Sequence, residues 1–163
     1  MQELDQDWQT ILLSLTANKV QFVLISGLAM SAQGCSHITF EIKISYSTWI
    51  GKSPRVVDAL TLFKPGLRGA EKDLPLIFDV STLRNVSNLS LVTEFGDLDI
   101  LGNPAGIDSF EGLFERSTVM EIYGVEVQVA SIDDLIAMKR AANRPKDHIH
   151  ILELLRLQAL HHE

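Results

Sequence analysis

Three short stretches constrain the fold of this chain more than any other feature. Residues 20–25 form an apolar run rich in β-branched and aromatic side chains, typical of a buried strand, and the small-residue turn of Ser26 and Gly27 follows it. Residues 39–44 alternate polar and apolar side chains with the period of two that a half-buried strand shows. Residues 97–100 repeat that alternation with acids as the polar members. The sequence therefore predicts three strands, two of them carrying charged groups.

The charged positions of the second and third strands fall on defined faces. Residues two apart in a strand share a face, so Glu41 lies beside Lys43 and Asp97 lies beside Asp99. Asp is disfavoured in strands, which favours a functional role for the two aspartates. The alternative is an ordinary exposed ion pair between Lys43 and one of them, worth about 1 kcal/mol or less.

Composition indicates a single folded domain over residues 1–163. The chain is 46% hydrophobic and 21% charged, ordinary values for a globular protein, and its length allows one substantial core. No apolar run reaches the ~20 residues that span a bilayer, and the acidic N-terminus does not resemble a targeting peptide. We therefore expect a cytoplasmic protein with no membrane partner.

Net charge and cysteine content exclude several classes of site. A formal charge of −7 argues against strong binding to duplex DNA, which depends on many Lys and Arg contacts to phosphate. Cys35 is the single cysteine, so neither an internal disulfide nor a thiolate zinc site can form. We interpret Cys35 as a small residue at a helix end rather than as a nucleophile.

Local patterns predict the remaining elements. Helices are expected over residues 5–18, 28–33, 54–63, 109–115, 132–142 and 146–160, with Ser53 and Ser131 as the N-caps of the third and the fifth. Hairpins pair 88–92 with 98–101 and 118–122 with 125–129. Residues 37–46 form the second strand, 65–72 a loop, 81–84 a helical turn, and 74–78 either a strand or an extended connection. The apolar face of the last helix is assigned to Ile149, Leu152, Leu155 and either Leu157 or Leu160.

The ordered set of a Gly turn, a charged pair on one strand and a distal acid between apolar residues resembles the nucleotidyltransferase superfamily. Residues 93–102, residues 129–142 and the segment Arg144-Pro145-Lys146-Asp147 extend the likeness, which is strongest to small bacterial enzymes related to AbiEii-type toxins and MNT-type antitoxins. The resemblance implies an α+β fold of the polymerase-β type, with a mixed sheet flanked by helices and a helical C-terminus.

The same resemblance implies transfer of a nucleoside monophosphate from an NTP to RNA, protein or a small molecule, with Mg²⁺ or alternatively Mn²⁺. Two ions clamp the attacking and leaving oxygens in such a reaction, and hard ions prefer carboxylate oxygens. Carried over by position, the resemblance assigns the metal to Glu41 and Asp99, with Asp97 as a substitute ligand. The catalytic set is Glu41, Asp99 and Lys43. The residues that would contact the nucleotide are Ser26, Gly27, Lys139 and Lys146.

One position departs from the family pattern in a way that affects the chemistry. Lys43 stands where the second metal-binding acid belongs, and a protonated ammonium repels a cation and cannot ligate it. Either a single ion binds Glu41 and Asp99 while Lys43 attracts phosphate, or Lys43 pairs with one of these acids and fills the metal position. The second account needs fewer assumptions and describes a pseudoenzyme.

Three functions therefore stay open from the sequence. The first is a metal-dependent nucleotidyltransferase. The second is a non-catalytic module that binds a nucleotide or a partner in the retained cleft. The third is one member of a toxin–antitoxin pair that acts through a cognate protein partner.

Overall fold

The computed structural model describes residues 2–36, 41–49, 51–70, 76–86 and 88–161, with side chains left out for residues 2–7 and 41. Its helices are α1 (Gln2–Ala17), α2 (Ser26–Gln33), α3 (Ser53–Thr61), α4 (Val80–Asn85), α5 (Phe110–Arg116), α6 (Ile132–Ala142) and α7 (Pro145–His161). Its strands are β1 (Phe22–Ile25), β2 (Glu41–Tyr46), β3 (Gly66–Leu67), β4 (Asn88–Thr93), β5 (Gly96–Leu101), β6 (Thr118–Ile122) and β7 (Val125–Val129).

The strands form one mixed sheet in the order β3-β4-β5-β2-β1-β7-β6. Strand β1 pairs antiparallel with β2 and parallel with β7, and β2 pairs parallel with β5. The register sets Glu41 opposite Asp97 and Lys43 opposite Asp99. Two stretches more than fifty residues apart in the chain are thereby joined at the centre of the sheet.

Burial follows the predicted periodicities in α1 and β4. The stripe Trp8, Ile11, Leu12 and Leu15 of α1 is buried, as the helical spacing predicts. Strand β4 alternates exposed and buried positions along its whole length. Gly34 ends α2 in the left-handed conformation at φ 117, where glycine meets no Cβ penalty. None of the described helices is both long and apolar enough to cross a membrane.

Several predicted boundaries are corrected by the structure. The loop predicted over residues 65–72 contains strand β3, which sequence periodicity cannot reveal because it has two residues. Lys52, not Ser53, occupies the N-cap of α3, and Ser53 is the first helical residue. Residues 37–40 of the predicted second strand lie outside the described part of the chain. Residues 74–75 of the predicted strand or extended connection over 74–78 also lie outside it.

The predicted apolar face of α7 is confirmed at Leu155 and Leu157, which are partly buried against the core, and is wrong at Ile149 and Leu152. Ile149 and Leu152 are 71% and 69% exposed, whereas Leu154 is fully buried. Asp147 is also fully buried and lies seven residues before Leu154, so these two residues mark the face that packs inward. The buried ion pairs of Asp147, described below, orient that face toward α6, which the hydrophobic pattern alone cannot show.

Shortening one leucine side chain on each face of α7 distinguishes the buried face from the exposed one. We expect Leu154→Ala to lower the free energy of unfolding by about 2–5 kcal/mol, because it opens a cavity beneath the helix. The matched control Leu152→Ala removes the same atoms from an exposed position and is expected to change stability by about 0.5 kcal/mol or less. Urea denaturation followed by circular dichroism measures both. Equal losses in the two variants would contradict the observed orientation of α7.

Candidate functional site

The parallel pairing of β2 with β5 brings Lys43 against Asp99. Lys43 Nζ lies 3.6 Å from Asp99 Oδ2, and the Asp99 residue is only 7% exposed. A carboxylate this far from water is costly unless cations or hydrogen-bond donors compensate its charge. The interpretation that Lys43 pairs with an acid of the family's metal position agrees with this geometry for Asp99.

A second cation reaches the same acids from the edge of the sheet. Strand β3 pairs with β4 so that Leu67 lies opposite Leu91, and the next residue is Arg68. Arg68 Nη2 lies 2.8 Å from Asp99 Oδ1, and Arg68 Nε lies 3.3 Å from Asp97 Oδ2. Its guanidinium also donates to the carbonyl oxygen of Leu91. Asp99 therefore has a cation beside each of its carboxylate oxygens.

This arrangement does not fit the two-ion site of the nucleotidyltransferase resemblance. Mg²⁺ requires near-octahedral oxygen ligands, and a divalent ion at Asp99 would stand close to both an ammonium and a guanidinium. Among the described residues, no group of three or more His, Cys, Asp or Glu is placed to hold a metal ion. The side chain of Glu41 lies outside the described part, so its predicted metal contact stays a prediction.

A cavity of about 160 Å³ opens beside the ion-pair cluster. Its polar lining is Ser26, Lys43, Lys139 and Arg144, and the rest of its wall is aliphatic, including Leu101 and Met138. We call this cavity the cleft. Ser26 is the first residue of α2 and has φ 64, a left-handed conformation unusual for a residue other than glycine. The start of α2 therefore faces the cleft with a strained turn.

The far wall of the cleft is fixed by a buried carboxylate at the start of α7. Arg144 Nε donates to Asp147 Oδ2 at 2.7 Å, and Lys139 Nζ lies 3.4 Å from Asp147 Oδ1. The side-chain hydrogen bond from Arg144 is the main reason that the pKa of Asp147 lies well below its usual range. Burial lowers the pKa of Lys139. The negative charge of Asp147 raises this pKa again, whereas the positive charge of the nearby Lys43 lowers it further.

The loop after β5 closes the cleft through a close backbone contact. Pro104 and Ala105 line the cleft, and Gly106 follows at φ 88. A Cβ atom added at Gly106 would lie 2.5 Å from the carbonyl oxygen of Ala137 in α6. The loop can approach α6 this closely because position 106 is glycine.

The structure brings together some of the predicted site residues and separates others. Ser26, Lys43 and Lys139 line the cleft, whereas Lys146 is exposed and is not among the lining residues. Gly27 is buried in α2. Asp97 and Asp99 share Arg68 as a partner, as described above.

One residue beside the site, Arg68, was not predicted from the sequence. Arg144 stands in the Arg-Pro-Lys-Asp segment that carries the family likeness, and the structure places it in the cleft wall. Arg68 follows a two-residue strand and has no local signal, since only the pairing of β3 with β4 directs it toward Asp99.

Cys35 has no chemistry suited to a nucleophile. It is a buried free thiol, and burial, followed by the charge of Glu153, raises its pKa to about 11. The thiolate is the reactive form, so a raised pKa makes the group inert near neutral pH.

Comparison with known proteins identifies the fold. No protein-family model matches the chain, and no curated protein matches it in sequence. Solved structures do match its fold, among them the following two. The lincosamide antibiotic adenylyltransferase LnuA, in a lincomycin-bound crystal structure, superposes with a TM-score of 0.60 at 16% identity over 93% of this chain and 96% of LnuA.

The second structure is the solution structure of the antibiotic-resistance factor ANT(2'')-Ia. It superposes with a TM-score of 0.57 at 12% identity and covers 97% of this chain and 90% of its own. At these identities the likeness concerns the fold. The chain has a nucleotidyltransferase-like α+β fold with a mixed sheet and a helical C-terminus, which confirms the predicted fold class. The AbiEii and MNT branch stays a prediction.

The close approach at Gly106 gives a stability test. We expect Gly106→Ala to destabilise the protein by about 2–4 kcal/mol, because it combines the left-handed backbone cost with a clash against α6. Gly69→Ala is the matched control, since Gly69 has φ 84 but nothing within 4 Å of its added Cβ. Its expected cost is about 1–2 kcal/mol. Thermal denaturation compares the two, and a loss in Gly106→Ala no greater than that of the control would contradict the contact.

The lowered pKa of Asp147 predicts a pH dependence of stability. A carboxyl whose pKa is lower in the folded state stabilises the fold above its unfolded pKa of about 4, and this contribution is lost as pH falls toward the folded pKa. We expect Asp147→Asn to cost about 3–5 kcal/mol at pH 7, since Lys139 then loses its buried partner. The difference from wild type should narrow below about pH 4.

Urea denaturation at several pH values measures that difference. Asp58→Asn, an exposed position on α3, is the control and is expected to change stability by about 0.5 kcal/mol or less at every pH. A cost for Asp147→Asn that stays constant from pH 7 to pH 3 would contradict the assignment.

Proposed function

We propose that this protein is a nucleotide-binding module on a nucleotidyltransferase fold, and that its cleft holds a nucleotide phosphate without a divalent ion. The observation that carries the proposal is the pairing of both Asp99 oxygens, one with Lys43 and one with Arg68. Side-chain cations stand at the acids that the resemblance assigns to metal. The charge that would offset phosphate is therefore part of the chain.

Two cations of the cleft wall are accessible to a ligand. The described ion pairs at and beside the cleft join Lys43, Arg68, Lys139 and Arg144 with Asp97, Asp99 and Asp147. The Lys43 and Arg144 side chains are 25% and 48% exposed, so both have a solvent-facing part that a ligand can meet. Lys139 is nearly buried and acts mainly as a fixed charge behind the wall.

The shape of the cleft suggests how a nucleotide would lie. The phosphate would meet Lys43 and the start of α2 at Ser26, where the helix dipole favours negative charge. The aliphatic wall at Leu101 and Met138 offers a surface for the base or sugar. A cavity of about 160 Å³ suits a mononucleotide part better than a complete triphosphate.

Metal-dependent transfer of a nucleoside monophosphate is the competing function. The similarity in fold to LnuA, described as an adenylyltransferase, supports it. It requires Mg²⁺ or Mn²⁺ to bind at Glu41 and Asp99 and to overcome the cations already beside Asp99. The ion-pair geometry disfavours this, and for that reason we rank the non-catalytic module first.

Other expectations from the sequence stay predictions. They include RNA, protein or small-molecule acceptors, a cognate protein partner within a toxin–antitoxin pair, and a cytoplasmic location.

Calorimetric titration of ATP in EDTA and in Mg²⁺ tests the proposal. We expect wild type to bind ATP with similar affinity in both, because protein side chains supply the positive charge. Lys43→Gln should weaken binding about tenfold, the effect of losing one charge-assisted contact. Lys64→Gln is the control, since Lys64 pairs with Glu94 away from the cleft and its side chain is 79% exposed.

Two outcomes would overturn the proposal. Binding that occurs only with Mg²⁺ would support the metal-dependent enzyme, and transfer assays would follow. Absence of ATP, GTP, CTP and UTP binding in both conditions would exclude the nucleotide and leave a partner-binding domain. Lys43→Asp is an informative additional variant, because a gain of Mg²⁺-dependent binding would show that the scaffold still accepts metal once the ammonium is removed.

A further inference from the structure

A second cavity lies on the face of the sheet opposite the cleft. Lys43 and Tyr46 are three residues apart in β2, so their side chains project to opposite faces, and Tyr46 lines this second cavity. The cavity has a volume of about 220 Å³ and lies between the start of α3 and helix α4. We call it the α3–α4 pocket. It shares no lining residue with the cleft among the described residues.

The polar lining of the α3–α4 pocket consists of hydrogen-bond donors and one cation. The side chains are the hydroxyls of Tyr46, Thr48 and Ser53, the amide of Asn103 and the guanidinium of Arg84. No carboxylate is among the described lining residues. Burial raises the pKa of Tyr46 to about 12, so its phenol stays neutral. This surface lacks negative charge even though the protein carries a net charge of −7.

The start of α3 adds a favourable dipole to the same pocket. The helix has nine residues, and no side chain caps its N-terminus. Uncapped N-terminal groups of a helix carry partial positive charge, which favours an anion nearby.

Ser53 offers a hydroxyl to the pocket. It is only 8% exposed, lies in the first turn of α3 and lines the pocket. No hydrogen bond of its side chain is found among the described residues, and its oxygen is not one of the fully buried atoms that lack a partner, so it is open to the pocket. An oxyanion in the pocket would accept a hydrogen bond from it.

We propose that the α3–α4 pocket binds the phosphate or carboxylate group of a small molecule. Arg84 supplies the countercharge, and Ser53 and Thr48 donate hydrogen bonds to the oxyanion. Val80 and Leu83 form the apolar part of the lining and contact the carbon body of the ligand. The volume equals roughly seven waters at about 30 Å³ each, which is room for one oxyanion and a few carbon atoms.

Nitrogen-15 NMR titration with inorganic phosphate, and separately with acetate, tests this site and distinguishes the two anion chemistries. We expect saturable shifts with a Kd in the millimolar range at the backbone amides of Ser53, Arg84 and Asn103. Arg84→Gln should weaken binding about tenfold and Ser53→Ala about threefold to tenfold, since the first removes a charge and the second a donor. Arg84 is exposed, so its variant should fold normally.

Arg55→Gln is the matched control, because Arg55 is an exposed arginine on the same helix and does not line the pocket. We expect its Kd to equal that of wild type. Shifts that are equally reduced by Arg55→Gln, or unaffected by Arg84→Gln, would overturn the site, as would the absence of saturable shifts at α3. Phosphate shifts confined to Lys43, Ser26 and Arg144 would assign the anion to the cleft instead. ATP binding by the cleft is measured separately, so either proposal can fail alone.

Discussion

The parallel pairing of β2 with β5 is the interaction on which the candidate site depends. It sets Lys43 opposite Asp99 at the centre of the sheet, where Asp99 is almost out of contact with water. A carboxylate in that position needs compensating charge, and Lys43 alone meets one of its oxygens. The short strand β3 supplies the second cation, since it delivers Arg68 to the other oxygen. A two-residue strand at the sheet edge thus gains a specific electrostatic role.

Cations fixed by the fold act differently from metal ions taken from solution. A bound Mg²⁺ can bridge a protein carboxylate and a phosphate, and it can polarise the phosphate oxygens. Lys43 and Arg68 would attract a phosphate through their fixed charges, but their own carboxylate partners neutralise part of that attraction. Such a site is suited to recognition more than to the stabilisation of charge that develops during phosphoryl transfer.

Two further constraints hold the cleft in shape. Asp147 joins Lys139 of α6 to Arg144 at the start of α7, and the same pairs determine which face of α7 turns inward. Gly106 lets the loop after β5 press against α6. This loop also lines both cavities, since Asn103 borders the α3–α4 pocket and Pro104 borders the cleft. The two proposed sites therefore share one rigidly held segment.

The sequence by itself determined the elements whose signals are local. The hairpin of β6 and β7 and the helix α6 with its Ser131 cap match their predicted positions, because caps, turns and periodicity act over a few residues. The resemblance supplied the fold class and identified Lys43 as the residue that departs from the family's metal-binding pattern. These predictions needed no knowledge of distant contacts.

Only the tertiary structure decided the partners and the orientations. Strand β3 is too short for a periodic signal, so the position of Arg68 depends on its pairing with β4. The stripe of Ile149 and Leu152 has helical spacing, yet it faces solvent because buried ion pairs at Asp147 fix the rotation of α7. Pairing between distant segments and the compensation of buried charge are non-local interactions, and no short window of sequence contains both partners.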